Sequence, residues 1–144
     1  MPSLGFELLD VHVIRGRGDE VAWSDDTETL TFAQLLERSA ALAGGLRAVG
    51  VSPGDEVEVD VAPGSLQVQL VCACIRLGAV PGDRGDVRIV EHADGVTVHG
   101  DEEYDLDLVM RAGRTDPAPS LPSDPPGYAA TVLETWPMLD AFRT

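Results

Sequence analysis

The stretch from Leu66 to Leu77 is apolar on nearly every side, broken only by Gln67, Gln69 and Arg76. A helix of that composition is stable only when surrounded by other structure. Just before it, Val57, Val59 and Val61 alternate with Glu56, Glu58 and Asp60. That alternation describes a strand with one apolar and one acidic face. Pro63-Gly64-Ser65 separates the two elements, Gly78 caps the helix, and Ala79-Val80-Pro81 opens another extended segment. A strand–helix–strand order implies a right-handed crossover and at least one parallel strand pair. The chain is therefore expected to be α/β: a mostly parallel sheet with flanking helices.

On the N-terminal side, Leu4, Leu8, Leu9 and Val11 to Ile14 form an apolar helix that stops at Gly16 and Gly18. Val21-Ala22-Trp23 and Thr29-Leu30 are two short strands joined by Asp25-Asp26-Thr27-Glu28, a hairpin. Thr31 with Gln34 three residues on has the pattern of a capping box. The helix it opens has apolar positions at Phe32, Leu35, Leu36, Leu42, Ala43, Leu46 and Val49, and Gly50 at its C-cap. Gly44-Gly45 inside this helix costs about 1 kcal/mol per glycine relative to alanine. Close approach of another backbone would be the physical reason. On the C-terminal side, Val87 to Val90 and Val96 to His99 flank Asp94-Gly95, a type I′ hairpin signal. Ile89, Val96 and Val98 share one face; Arg88, Val90, His92, Thr97 and His99 share the other.

Residues 1–114 are expected to form a single α/β domain, with a short helix from Asp105 to Ala112 ending at Gly113. Residues 115–127 carry five prolines and read as an extended linker without packing of its own. Residues 128–144 are expected to return to the body, Tyr128 to Leu133 as a strand and the rest as a short helix or tail. Trp136, Met138, Leu139 and Phe142 are either a clasp over the sheet edge or an exposed patch, the clasp being favoured because a short body needs the apolar area.

All ten basic residues are arginines; none of the 144 positions is lysine. With 25 acids the net charge is −15. Coulomb repulsion opposes binding to phosphate backbones and to anionic membranes, so neither nucleic acid nor membrane is expected as a partner. No stretch has the ~18 apolar residues of a membrane span, and the N-terminus lacks a basic start followed by an apolar run. A cytoplasmic location is expected. Cys72 and Cys74 point about 200° apart on a helix and read as buried, reduced thiols.

Several motifs carry a resemblance. Leu30-Thr31-Phe32-Ala33-Gln34-Leu35, Leu42-Ala43 with Leu46, Gly50-Val51-Ser52-Pro53-Gly54-Asp55-Glu56-Val57 and Gly78-Ala79-Val80-Pro81 resemble, in order and spacing, the opening segment of AMP-forming adenylating enzymes. That family includes acyl-CoA synthetases, luciferases and peptide-synthetase adenylation domains. The resemblance covers residues of roughly 20 to 82, under half of the chain, and implies the fold of the family's N-terminal subdomain. Pro63-Gly64 stands where the family usually has Asn-Ser. The family's phosphate loop ending in lysine, its Tyr-Gly-x-Thr-Glu motif and its C-terminal lid have no counterpart among these residues. A lysine point charge is hard to replace with a planar guanidinium. No catalytic residue carries over, and no cofactor is implied. Pro126-Gly127-Tyr128-Ala129-Ala130 followed by Phe142 resembles short actinobacterial proteins of unknown function that share this truncated organisation. Arginine without lysine also fits a GC-rich genome.

The functional expectation is a non-catalytic, stand-alone remnant of that subdomain, serving as a binding or protein-interaction module. Loss of the larger remainder leaves apolar surface, so a homodimer is expected. One alternative is a small-ligand protein taking an acyl group, a nucleotide or coenzyme A in a cleft. Another is a subunit of a split acyl-CoA synthetase. Asp83 and Arg84, in the glycine-rich run Gly78 to Gly85, are the candidate ligand contacts at a strand end; a plain loop is the simpler reading of that run. His92 and His99 lie diagonally on the hairpin, and with His12 and nearby carboxylates a metal site is conceivable, though a solvated polar face is the simpler account. Asp83, Asp86, Asp101, Glu102, Glu103, Asp105 and Asp107 lack calcium-loop spacing and read as solvated acids.

Overall fold

A computed structural model describes residues 2–143. The valine alternation forms β3 (Glu56–Asp60), and the all-round apolar stretch forms α3 (Ser65–Arg76). The chain then returns as β4 (Val80–Gly82), parallel to β3 with Glu56 beside Val80. β5 (Val87–His92) pairs with β3 on its other side, also parallel. β6 (Gly95–His99) and β7 (Glu103–Asp105) continue antiparallel, giving the order β4-β3-β5-β6-β7. The α/β architecture is as expected, and β7, not foreseen in the sequence, makes the antiparallel hairpin a three-stranded meander. Val57, Val59, Ile89 and Val98 are buried on one face, against α2 (Phe32–Val49), α3 and α4 (Leu106–Thr115). The other face carries Glu58, Asp60, Arg88, Val90, His92, Thr97 and His99, none of them buried.

α3 is apolar all round because it serves two clusters. Leu70, Ala73, Cys74 and Leu77 face the sheet and α2. Val68, Val71, Cys72 and Ile75 face a second cluster. That cluster also holds Leu4 and, from the π-helical turn (Phe6–Asp10) that precedes the short α1 (Val11–Ile14), Leu8 and Leu9, together with Tyr128, Val132, Leu139 and Phe142 from the C-terminal segment.

The capping box is complete. Thr31 Oγ1 accepts from the Gln34 amide at 3.1 Å and Gln34 Oε1 accepts from the Thr31 amide at 2.9 Å. β1 (Val21–Ser24) and β2 (Thr29–Thr31) form the hairpin ahead of it. Its turn supplies the cap that α3 lacks. Gly64, at the α3 N-cap, has no side chain to offer, and Asp25 Oδ2 accepts from the Ser65 amide at 2.8 Å from forty residues away. Asp25 also accepts from the Thr27 and Glu28 amides and from the Trp23 indole. Glu28 accepts from Ser65 Oγ at 2.6 Å and from Arg38 at 2.7 Å. These donors hold the Asp25 carboxyl well below the usual carboxylate range, the Trp23 indole most of all. They lower Glu28 as well, with Ser65 the main cause.

Four sequence expectations need correction. The helix expected to end at Gly113 runs on to Thr115, because Gly113 is a contact site and not a stop. A Cβ on Gly113 would overlap the Ala41 carbonyl of α2; one on Gly45 would overlap the Val109 carbonyl, and one on Gly44 the Asp116 carbonyl. The inferred close approach of a second backbone at Gly44-Gly45 is therefore present, and its partner is α4. The β5–β6 turn is not type I′, which needs positive φ at both central residues. Among the described residues only glycines have positive φ, so Ala93 and Asp94 do not, and it is Gly95 that takes 152°. Residues 116–127 contain no helix or strand, yet they are packed: Ala118 is buried and its amide donates to the Ala40 carbonyl at 3.0 Å. Tyr128 to Leu133 is helical, within α5 (Tyr128–Thr135), because Tyr128 and Val132, four apart, bury one stripe. A 3₁₀ helix (Pro137–Arg143) follows. Together they are a clasp: Trp136 Nε1 donates to the Pro81 carbonyl of edge strand β4 at 2.8 Å, and Leu139 and Phe142 are buried.

This packing has two measurable consequences. In an ordinary helix Gly→Ala stabilises by about 1 kcal/mol. Gly113→Ala reverses that sign and destabilises by about 1–3 kcal/mol, measured by urea unfolding. Asp25 and Glu28 have depressed folded-state pKa values, so their contribution is complete above the unfolded values near pH 4 and is lost as pH falls through the folded ones. Stability measured between pH 5 and pH 2 should decline, and less steeply in Asp25→Asn.

Candidate functional site

β4 and β5 flank β3 and both run parallel to it. Joining two parallel strands ordinarily takes a dozen or more residues. Here four residues, 83–86, suffice, because the chain passes directly over β3. Gly85 lies on the backbone of Glu56 and Val57, where an added Cβ would overlap the Glu56 carbonyl. Beside it Arg84 Nε sits 3.4 Å from Glu56 Oε2. The glycine in this run is required by the crossing of two backbones.

Arg84 borders two open grooves. One, of about 480 Å³, lies between β4 and α5, with Val59, Val80, Pro81 and the Trp136 indole as its apolar part and Glu56, Asp83 and Arg84 as its charged part. The other, of about 670 Å³, is lined by Asp55, Glu56, Asp86 and Asp101 as well as Arg84. Asp83 and Arg84 are thus brought together at the end of β4, where the sequence placed them. The first groove can seat a flat or apolar group on Trp136 with an anionic group on Arg84. It is a surface groove and not the deep apolar pocket that would enclose an acyl chain.

The three histidines separate. His12 is buried: its Nε2 donates to the Phe142 carbonyl, Nδ1 accepts from Arg17 at 3.3 Å, and the ring lies 4.4 Å from that of Phe32. Both of its nitrogens are occupied: Nε2 fixes the N-terminal helix to the 3₁₀ helix, and Nδ1 holds the Arg17 side chain. His92 and His99 do meet on the open sheet face, their ring centroids 6.5 Å apart. Among the described residues no cluster of three or more metal-ligating side chains is assembled. Cys72 and Cys74 are buried free thiols, their pKa values pushed up to about 12 by burial, which leaves them unreactive. Trp136 and Thr97 carry no signal in the sequence that marks them as site residues. Their roles depend on the α5 placement and on the β5–β6 register, which no local pattern announces. No helix among the described residues is long and apolar enough to cross a membrane.

Residues 11–81 match the AMP-binding enzyme family. The chain is 40% identical over 84 residues to pyochelin synthetase PchE of Pseudomonas aeruginosa, an alignment covering 54% of this chain and 6% of that protein. It is 41% identical over 64 residues to a salicylyl-CoA synthase / salicylate adenylyltransferase of a Streptomyces species, covering 44% of this chain and 12% of that one. The chain thus spans only a small part of these relatives' length. Among solved structures, the N-terminal subdomain of Klebsiella oxytoca NpsA in complex with anthranilyl-AMSN superposes with a TM-score of 0.52 at 21% identity, over 58% of this chain and 21% of that one. A fatty acid AMP ligase from Legionella pneumophila gives 0.50 at 25% identity, over 63% and 15%.

The crossing loop makes a contrast that can be measured. Gly85→Ala is expected to cost about 1–3 kcal/mol. Gly82→Ala, three residues earlier with open space around it, should cost far less in the same thermal melts.

Proposed function

Because residues 11–81 belong to the AMP-binding enzyme family, we propose that the chain uses the framework of that family's N-terminal subdomain without its chemistry, as a non-catalytic binding or protein-interaction module. The observation that carries this reading is where the core is completed. Tyr128, Val132, Leu139 and Phe142, all beyond the family match, fill the same cluster as Leu30, Phe32, Leu35 and Val71 within it. The family-matched part is thus closed by the chain's own C-terminal segment. A chain with no lysine also lacks the cations that the family resemblance associates with adenylation. Self-association, expected from apolar surface left uncovered, would have to use what the clasp leaves exposed. Ile14, Val21 and Leu108 are 72%, 59% and 48% exposed.

A second reading is favoured by the groove between β4 and α5. There Trp136, Val80 and Arg84 offer a seat for a small ligand with an apolar or aromatic body and an anionic group.

The test is ATP–pyrophosphate exchange with purified protein and a panel of carboxylic acids, salicylate and acetate among them, alongside light scattering. No exchange above buffer is expected. Exchange by the chain alone would overturn the non-catalytic reading. Exchange appearing only with a larger co-purifying protein would make this chain a subunit of a split enzyme. A mass near twice 15.3 kDa would show the homodimer.

A further inference from the structure

We propose that the open face of the sheet carries a binding site for a divalent late transition metal, zinc or nickel in type, with His92 and His99 as its protein ligands. His92 on β5 and His99 on β6 stand diagonally across the hairpin, and both aim the same nitrogen at one atom. His92 Nε2 lies 2.9 Å from Thr97 Oγ1, and His99 Nε2 lies 2.8 Å from it. A single hydroxyl proton can be donated to only one of them. Glu103 decides which. Its Oε1 lies 3.3 Å from His99 Nδ1, which favours the proton on that nitrogen. His99 Nε2 then holds a lone pair and accepts from Thr97, while His92 Nε2 donates to it.

That arrangement has the elements of a metal-binding histidine. A carboxylate behind the distal ring nitrogen fixes the tautomer and the orientation of the ring. A second imidazole converges on the same point. Imidazole suits zinc, nickel and copper, and distinguishes them from magnesium and calcium, which take oxygen ligands. A metal would take over the role of the Thr97 hydroxyl as the shared partner of both nitrogens, drawing two solvent-accessible rings together, with the His92 proton moving from Nε2 to Nδ1 so that the ring binds as a neutral imidazole. With two protein ligands, the remaining coordination positions are filled by water or by an outside donor. The net charge of −15 adds long-range attraction for a cation. The register makes the site: Val90 faces Thr97 and Arg88 faces His99 across the hairpin, so the two histidines straddle the threonine. Neither histidine is used by the groove at Arg84 or by the core.

The experiment is calorimetric titration of the whole chain with zinc chloride, and separately with nickel chloride, in the presence of excess magnesium to occupy scattered carboxylates. One site per chain is expected. It should be abolished in both His92→Ala and His99→Ala, and weakened roughly ten- to a hundredfold in Glu103→Gln, the usual effect of losing an outer-shell partner. His12→Gln, buried elsewhere, should leave the affinity unchanged if it folds. The His Cε1–H resonances report the same event independently, two of the three shifting on addition of metal. No saturable binding, or binding that survives in the His92→Ala/His99→Ala double variant, would overturn the proposal and leave only diffuse attraction to the acidic surface.

Discussion

The Arg76 side chain, 4% exposed at the end of α3, joins three parts of the chain that are far apart in sequence. Its Nη1 donates to Asp10 at 2.6 Å and its Nε to the Ala118 carbonyl at 3.0 Å. Ser120 donates to the second Asp10 oxygen at 3.3 Å. Burying a charge costs several kcal/mol unless it is paired and hydrogen-bonded, so this guanidinium is stable only with the N-terminal turn and the proline-rich strap both in place. Their docking sets the course of the C-terminal segment. The strap, fixed also by the Leu4 amide donating to Asp124 at 2.7 Å, delivers the chain to Gly127. There α5 begins; Tyr128 donates to the Ala79 carbonyl, and the clasp closes over β4.

A second constraint lies in the helix layer. α2 and α4 meet at Gly44, Gly45 and Gly113, where an added Cβ would overlap a backbone carbonyl of the facing segment. Contact this close suits the backbone groups that make it and leaves no room for adjustment. It seats α4 on the sheet beside α2, so Leu106 and Val109 join the core under β6 and the helices are confined to one face. The other face is left to polar side chains, and the crossing loop and the histidine pair both depend on its being free of helices.

Much of the fold is legible locally. The alternation at Val57, Val59 and Val61, the Thr31–Gln34 box and the all-round apolar α3 each report a short-range rule, and each is present. The candidate site is legible in pieces. Asp83 and Arg84 fall at a groove, and His92 and His99 do meet, because strand periodicity alone puts them on one face. The misreadings cluster where long-range contacts override local signals. Gly113 resembles a helix end because glycine usually is one, Tyr128 to Leu133 resembles a strand because a short apolar run is ambiguous, and five prolines conceal a packed strap.

Local sequence is enough to specify which segments of the first half are helix or strand, the polarity of each strand face, and the acidic, lysine-free chemistry of the surface. These properties depend on a residue and its neighbours within a few positions. The assembled fold alone makes Asp25 the cap of a helix forty residues away, carries four residues across β3, closes the second cluster with α5 and the 3₁₀ helix, and orients the histidine pair through Thr97 and Glu103. Each of these joins groups on different elements of the fold. Their geometry is set by packing and desolvation, and no local spacing encodes it.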